Sequence, residues 1–185
     1  MTPVNRSAAD SVSTGGMRSR DDAQAGFVAS VGPRLVGSLT LFCGDRQLAE
    51  DLAQEALART IERWARVSVL ASPEAWTYRT AFNLARSSFR RKAVERRYRD
   101  RSAAIGSVPD VPDAVAVRAA VRALPERQRE VIIARFYLDL DVSETARMLG
   151  CREGTVKAHT FKAIANLRAA GFAEDAEEPV DEASH

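Results

Sequence analysis

Cysteine and histidine are scarce in this chain of 185 residues, which contains two of each. Neither Cys43 nor Cys151 has a second Cys or His at ligand spacing, and the two lie far apart, so neither a zinc site nor a disulfide framework is indicated. His159 and His185 are the only histidines, and no phosphate loop or nucleophile motif accompanies them. An enzyme therefore finds little support, and we expect neither a metal nor a cofactor.

Long hydrophobic runs are also lacking. No apolar stretch approaches the roughly 18 residues that a membrane span requires, and the start of the chain has no hydrophobic segment of the signal-peptide type. We therefore expect a cytoplasmic protein without membrane insertion. Residues 1–21 are rich in small polar residues and show no periodicity, which predicts a disordered leader.

The net charge shows no marked excess of either sign, because 27 Lys and Arg oppose 25 Asp and Glu. The distribution is nevertheless uneven, since residues 171–185 carry six acidic side chains and no Lys or Arg. Residues 84–101 hold two acidic side chains and eight basic ones, namely Arg86, Arg90, Arg91, Lys92, Arg96, Arg97, Arg99 and Arg101. The basic block indicates nucleic-acid binding, with a solvated helix face as the alternative.

Apolar residues recur at helical spacing and no strand pattern competes with them. This predicts an all-α fold of two small helical domains, which we place at residues 22–101 and 114–170. Between them, residues 102–113 contain Gly106, Pro109 and Pro112 and predict a short flexible linker. Residues 171–185 form an acidic tail.

Helix boundaries follow from capping residues and helix breakers. The first helix is expected from Asp22 to Gly44, with a kink at Gly32-Pro33. Asp45 is a suitable N-cap for the second helix, and Ser72 followed by Pro73 predicts the start of a third. That third helix carries Trp76 and Phe82 ahead of the basic block. Its aromatic rings could stack unpaired bases, although aromatic residues at helical spacing more often belong to a core.

Residues 143–162 show the pattern of a helix-turn-helix. Ser143 is expected to cap the first helix, Ala146 permits close helix contact, Gly150 permits a left-handed turn, and Val156 anchors the second helix. The second helix then exposes side chains that suit phosphates and base edges in a major groove: Arg152, Thr155, Lys157, Ala158, His159, Thr160 and Lys162. A helical hairpin with solvated charges is the alternative.

At four places the sequence resembles one family, the bacterial RNA polymerase sigma factors of the extracytoplasmic-function class, in their actinobacterial sigma-E-like branch. Residues 44–56 (GDRQLAEDLAQEA) and 73–86 (PEAWTYRTAFNLAR) are similar to region 2 of that family. Residues 124–131 (LPERQREV) and 154–159 (GTVKAH) are similar to its region 4. The resemblance covers most of the chain.

The resemblance implies a face for core RNA polymerase on the second helix. Asp51, Gln54 and Glu55 lie at positions i, i+3 and i+4 and project together. In the family, this segment docks on the clamp helices of the largest polymerase subunit, and the beta flap is a further contact. An anti-sigma factor is an additional candidate partner in this class.

The resemblance also implies two promoter contacts. The minus-ten element would be read and melted by Trp76, Arg79, Asn83, Arg86, Arg90 and Arg91, with Asn83 and residues 65–71 holding an unpaired base. The minus-thirty-five element would be read by Arg152, Thr155, Lys157, His159 and Lys162. The family often has Arg or Ser where Ala158 and His159 stand, which leaves the promoter preference open.

A different kind of protein fits part of the same pattern. A stand-alone helix-turn-helix regulator would use residues 22–100 for dimerisation or ligand binding and would bind duplex DNA without polymerase. The favoured hypothesis is a sigma factor that binds core polymerase, reads two promoter elements and helps to open the duplex.

Overall fold

The computed structural model describes residues 10–98 and 112–172, with side chains for 19–91 and 115–172. These residues form helices and no strand, so the predicted all-α fold is confirmed. The helices are α1 (Asp10–Cys43), α2 (Arg46–Glu62), α3 (Trp64–Val67), α4 (Pro73–Tyr98), α5 (Pro112–Ala123), α6 (Glu126–Ile132), α7 (Val142–Leu149) and α8 (Glu153–Ala169). We call α1–α4 the N-terminal bundle and α5–α8 the C-terminal bundle. Most of the predicted linker and of the acidic tail lies outside the described residues.

Helix α1 begins earlier than predicted, at Asp10 rather than Asp22, and so includes residues 10–21 of the predicted leader. Once a helix is nucleated, each further residue adds a hydrogen bond, which allows it to extend through a polar sequence. The helix continues through Pro33, where we predicted a kink, with Val31 and Leu35 buried in the core on either side. Their packing compensates for the hydrogen bond that proline cannot donate.

The N-terminal bundle is built on the apolar stripe of α1. Leu35, Leu39 and Phe42 are fully buried and pack against α2 and α4. The Phe42 ring lies 5.1 Å from the Phe82 ring of α4, at a tilted angle that aromatic pairs favour. Two buried hydroxyls, on Thr60 and Thr77, share a hydrogen bond of 3.1 Å between α2 and α4. Helix α4 is therefore held on one side by α1 and α2.

The apolar character of α1 also gives a result that the sequence analysis did not expect. The stretch Ser19–Cys43 has 25 residues and a hydropathy of 1.4, which would allow a helix to cross a membrane. Core helices of water-soluble proteins pass the same test, and this one buries Leu35, Leu39 and Phe42 against its neighbours. The length and composition of α1 are therefore weak evidence for a membrane span.

Caps fix the start of the predicted helices. Asp45 accepts a hydrogen bond from the Leu48 amide at 3.1 Å, and Ser72 accepts one from the Ala75 amide at 3.1 Å, as predicted. The expected cap at Ser143 is wrong, because α7 is capped by Asp141. Its carboxylate accepts from the Glu144 amide, and the Glu144 side chain accepts from the Asp141 amide, which together form a capping box.

The chain changes its helical geometry after α6, which ends at Ile132. Residues Ile133–Tyr137 form a π-helical turn, which ends where the Leu138 amide donates to the Ile133 carbonyl at 3.0 Å. Beyond it, Asp139 has a positive φ of 54° that reverses the chain toward α7. The wider turn leaves Phe136 and Tyr137 partly in solvent, 46% and 41% exposed. Such turns are frequent at functional positions.

The two bundles are in direct contact. Helix α1 touches α5 and the π-helical turn, and α4 touches α7. Buried residues of both bundles belong to one continuous cluster. The sequence analysis predicted two domains joined by a flexible linker and did not predict this contact between them.

The capping box makes the first stability prediction. Asp141→Ala should lower the free energy of unfolding by about 1 kcal/mol, because it leaves the Glu144 amide without its acceptor. Urea denaturation of the full chain followed by circular dichroism measures the change. Ser143→Ala is the matched control, since Ser143 is exposed and does not cap the helix. A larger loss for Ser143→Ala than for Asp141→Ala would contradict the assignment.

Candidate nucleic-acid interfaces

A basic groove of about 610 Å³ runs along the exposed side of α4. Its walls combine four arginines with an aromatic ring and small polar side chains: Arg59, Arg63, Trp76, Thr80, Asn83, Leu84, Ser87, Arg90 and Arg91. No carboxylate is among these lining residues. The groove therefore offers positive charge for a phosphate backbone beside a ring on which a base can stack.

Helical spacing explains how α4 builds this groove. Trp76, Thr80, Asn83 and Ser87 recur every three or four residues and so share one face. The opposite face is buried and contains Thr77, Tyr78, Ala81, Phe82 and Ala85. The core packing of that face fixes the direction of the groove residues.

Asn83 is exposed in the groove, and among the described residues its side chain has one partner. The Arg86 guanidinium donates to its Oδ1 at 2.7 Å. This bond uses the acceptor of the Asn83 amide and leaves the NH2 donors available for a base edge. The loop at residues 65–71, expected to join Asn83, does not line the groove, and its first residues belong to α3.

Two residues of the implied minus-ten set face the C-terminal bundle in this structure. Arg79 lies beside the turn of the helix-turn-helix, where a Cβ on Gly150 would be 3.0 Å from Arg79 Nη2. Arg86 Nε is 3.2 Å from Glu130 Oε1, although that oxygen accepts no hydrogen bond within the described part of the chain. Of the same set, Trp76, Asn83, Arg90 and Arg91 line the groove.

Glu130 is a fully buried carboxylate with two arginine neighbours. Arg127 Nη1 donates to Glu130 Oε2 at 3.0 Å, and Arg86 approaches from the other bundle. Burial raises the pKa of Glu130, and the positive charges of Arg86 and Arg127 oppose this shift. The two arginines thus favour the charged form of a carboxyl group whose charged form burial disfavours.

Helix α2 has an acidic face formed by Asp51, Gln54 and Glu55, whose helical spacing places them on one side of the helix. All three side chains are exposed. Glu55 accepts from Arg59 Nε at 2.7 Å, and Gln47 donates to Asp51 at 3.4 Å. Arg59 therefore belongs to two surfaces, because it pairs with this acidic face and also lines the groove.

Helix α8 exposes most of the side chains expected from the helix-turn-helix pattern. Arg152, Thr155, Lys157 and Lys162 are exposed, and Gly150 forms the left-handed turn with φ 65°. The expected exposure of Thr160 is wrong, since it is buried and donates to the Val156 carbonyl. Thr160 lies four residues after buried Val156 and so turns inward with it.

His159 is half-buried rather than exposed. Its Nδ1 atom is buried and has no hydrogen-bond partner in the described ranges. Only its remaining exposed edge could contact DNA. The neighbouring Phe161, by contrast, is 68% exposed on α8 and was not predicted as a site residue.

Sequence reasoning also missed five lining residues of the groove. Arg59 and Arg63 come from the end of α2, and Thr80, Leu84 and Ser87 from α4. The three-to-four residue spacing from Trp76 could have identified the three on α4. Arg59 and Arg63 could not be assigned before the packing of α2 against α4 was known. Lys92 and the rest of the basic block lie outside the described side chains.

Two family models match the chain, one within each bundle. Residues 27–95 match the model described as Sigma-70 region 2, and residues 114–167 match Sigma-70, region 4. The first match contains the groove and the acidic face of α2. The second contains α7, the Gly150 turn and α8.

Curated relatives are similar over much of their length. The chain is 30% identical to the RNA polymerase sigma-E factor of Streptomyces antibioticus over 123 residues, which covers 65% of the chain and 68% of that protein. It is 32% identical to the sigma-E factor of Streptomyces avermitilis, over 65% of the chain and 69% of the relative. It is 31% identical to the ECF RNA polymerase sigma factor BldN of Streptomyces coelicolor, over 88% and 68%.

A solved structure supports the fold. The sigma factor RpoE of Bartonella quintana, crystallised in complex with the anti-sigma factor NepR, superposes with a TM-score of 0.73. The match covers 79% of this chain and 94% of that one at 21% sequence identity.

The groove predicts a salt-dependent interaction with unpaired nucleic acid. Arg63→Ala should weaken binding of a single-stranded oligonucleotide and reduce the slope of log K against log salt by about 0.7, the value for one phosphate contact on a single strand. Fluorescence anisotropy at several salt concentrations measures both effects. Arg66→Ala is the matched control, because Arg66 is exposed on α3 outside the groove. Equal slopes for the two variants would exclude a phosphate contact at Arg63.

Proposed function

The chain belongs to the sigma-70 family, within its extracytoplasmic-function class, and from this premise we propose how its surfaces divide the work of transcription initiation. A sigma factor directs RNA polymerase to promoters, and this is the function of the chain. Proteins of this family are DNA-binding initiation factors that are generally not catalytic. We accordingly propose that the chain is not an enzyme itself and acts in the cytoplasm, where its relatives meet the polymerase.

The groove on α4 is the observation that carries the assignment of the minus-ten element. The groove places Trp76 and Asn83 beside several arginines. Extrusion of a base from a duplex costs a few kcal/mol, which stacking, hydrogen bonds and backbone charge must offset. The NH2 group of Asn83 would donate to the base, and Arg90 and Arg91 would follow the phosphates.

Helix α8 is proposed to read the minus-thirty-five element in the major groove. Arg152, Thr155, Lys157 and Lys162 are the exposed candidates, with His159 reaching DNA only by its open edge. A phosphate contact would weaken binding to every sequence, whereas a base contact would cost about 1 to 3 kcal/mol at one preferred base.

The acidic face of α2 is proposed to bind core polymerase on the clamp helices of its largest subunit. Its exposed side chains project together from a helix whose other side is buried. The C-terminal bundle is proposed to meet the beta flap. An anti-sigma factor is a further candidate partner, as the complex of the Bartonella protein with NepR illustrates for that protein.

A stand-alone regulator is the rival hypothesis at the level of mechanism. It would bind specific duplex DNA alone, and its α2 face would have no role with polymerase. In vitro transcription with purified core polymerase separates the two, because only a sigma factor makes promoter-specific initiation depend on added chain.

Charge reversal on α2 tests the polymerase contact within that assay. Asp51→Lys with Glu55→Lys should weaken binding to core polymerase about tenfold, because the two negative charges that face the proposed docking surface would become positive. The helical content should remain nearly unchanged. Asp21→Lys with Asp22→Lys is the control, because it changes the net charge equally on exposed residues of α1. Equal core affinity for both double variants would remove this assignment.

Strand opening provides a test of Asn83. Asn83→Ala should leave core binding intact, reduce open complex and relax the minus-ten base preference, because the amide donors are lost. Permanganate footprinting on duplex and pre-melted promoters measures the defect, which should shrink when the bubble is supplied. Ser87→Ala, one turn further along the groove, serves as the control. An equal defect on both templates with unchanged base preference would rule out base capture by Asn83.

A further inference from the structure

The basic groove on α4 holds more positive charge than its described surroundings neutralise. Arg59 pairs with Glu55 at 2.7 Å, whereas Arg63 has no ion-pair partner among the described side chains. Arg90 and Arg91 are exposed, and the residues that line the groove include no carboxylate. Positive charges held close together repel one another, and a bound anion relieves that repulsion. The groove therefore favours a polyanion even in the absence of nucleic acid.

The acidic tail is a polyanion that belongs to the same chain. It carries six carboxylates and no Lys or Arg: Glu174, Asp175, Glu177, Glu178, Asp181 and Glu182. Residues 174–182 would span about 30 Å if extended, which gives about one negative charge per 5 Å. One strand of DNA carries one charge per 3.4 Å. The tail thus approaches the charge density of the backbone that the groove is proposed to bind.

The tail leaves α8 from a fixed point. Gly171 has a left-handed backbone with φ 81°, and the Phe172 amide donates to the Leu167 carbonyl at 2.8 Å. This pattern is a Schellman motif, which closes the C-terminus of a helix and sets the direction of the chain beyond it. The position from which residue 173 continues is therefore defined by the structure.

Short contacts connect that end of α8 with α4. Asn166 Nδ2 donates to Gln128 Oε1 of α6 at 2.8 Å. Glu130 follows two positions later in α6, and its Oε1 lies 3.2 Å from Arg86 Nε of α4. Arg86 precedes the groove residue Arg90 by about one helical turn. Only α6 therefore lies between the start of the tail and the helix that forms the groove.

The tail is long enough to lie along the groove. Residues 173–185 would span up to about 43 Å if extended. Helix α4 has 26 residues and is about 39 Å long. Because the tail starts beside α6, which contacts α4 through Glu130 and Arg86, its length suffices to bring the carboxylates to the groove arginines.

We propose that the acidic tail docks in the basic groove and competes there with nucleic acid. Its carboxylates pair with Arg63, Arg90 and Arg91. Residues 173–185 contain no Phe, Tyr or Trp to stack on Trp76, so a strand with unpaired bases makes a contact that the tail cannot replace. Anions that offer charge alone meet the full competition. The competition rests on the proposed function of the groove, whereas the docking itself does not.

Neutralising the tail tests the docking without any DNA. The tail-neutral variant of the full chain carries Glu174→Gln, Asp175→Asn, Glu177→Gln, Glu178→Gln, Asp181→Asn and Glu182→Gln. These residues lie outside α1–α8, so the helical content by circular dichroism should not change.

Nuclear magnetic resonance of the arginine Nε–H groups at low salt measures the contact. The signals of Arg63, Arg90 and Arg91 should shift between the parent and the tail-neutral variant. Arg66 is the internal control, because it is exposed on α3 outside the groove, and its signal should stay in place. Unchanged groove signals would overturn the docking. Shifts confined to α8 would place the tail on that helix and would equally overturn it.

Single-strand binding by fluorescence anisotropy measures the competition. A docked tail reduces the apparent affinity by the fraction of chains whose groove is open, so the tail-neutral variant should bind an oligonucleotide about tenfold more tightly at low salt, which corresponds to a parent that is about 90% docked. The ratio between the two chains should fall toward one as salt increases, because screening weakens the docking.

A second background separates docking from general repulsion between the tail and DNA. With Arg63→Ala and Arg90→Ala, most of the gain from neutralising the tail should disappear, because effects of groups in contact are not additive. An equal gain in both backgrounds would show long-range repulsion and would overturn the competition. If no form of the chain binds the oligonucleotide, the proposed function of the groove fails, while the resonance shifts still decide whether the tail docks.

Discussion

Phe42 is the residue on which the arrangement of this protein depends. Its ring packs against Phe82 and Phe89 of α4, with centroids 5.1 and 5.5 Å away. Its carbonyl lies in the last turn of α1, where helix carbonyls lack a partner within the helix, and Arg129 supplies one from the other bundle. One residue thus anchors the core of the N-terminal bundle and the approach of the C-terminal bundle. The position of α4, and of the groove residues that it carries, depends on these contacts.

Helix α4 consequently has three faces rather than the two of an ordinary surface helix. One is buried against α1 and α2, a second lines the basic groove, and a third meets the C-terminal bundle through Arg79 and Arg86. Arg86 stands between the second and third faces, because it contacts both Asn83 and Glu130. A buried ion pair of this kind adds little net stability, since desolvation offsets the attraction, and its main effect is to specify geometry.

The sequence was sufficient to predict the structural features that depend on residues close together in the chain. The all-α fold, the caps at Asp45 and Ser72 and the turn at Gly150 are local, and all were found. The cap at Asp141 was missed because Ser143 is an equally suitable residue two positions away. The contact of Arg86 with Glu130 could not be predicted, since 44 positions separate the two residues and no periodicity connects them. The π-helical turn likewise has no pattern of its own, because its residues read as ordinary helix.

The glycine beneath the Tyr137 ring, at the contact of the π-helical turn with α1, bears on how such a protein would respond to stabilisation. Glycine inside a helix is less favourable than alanine by up to about 1 kcal/mol, and Gly37 lies well within α1. An engineer who seeks a higher melting temperature would therefore choose Gly37 for replacement by alanine. The added side chain would nevertheless displace the Tyr137 ring from its position over residue 37. At this position, therefore, the thermostability of a single helix and the fit between the bundles impose opposite demands on the same residue.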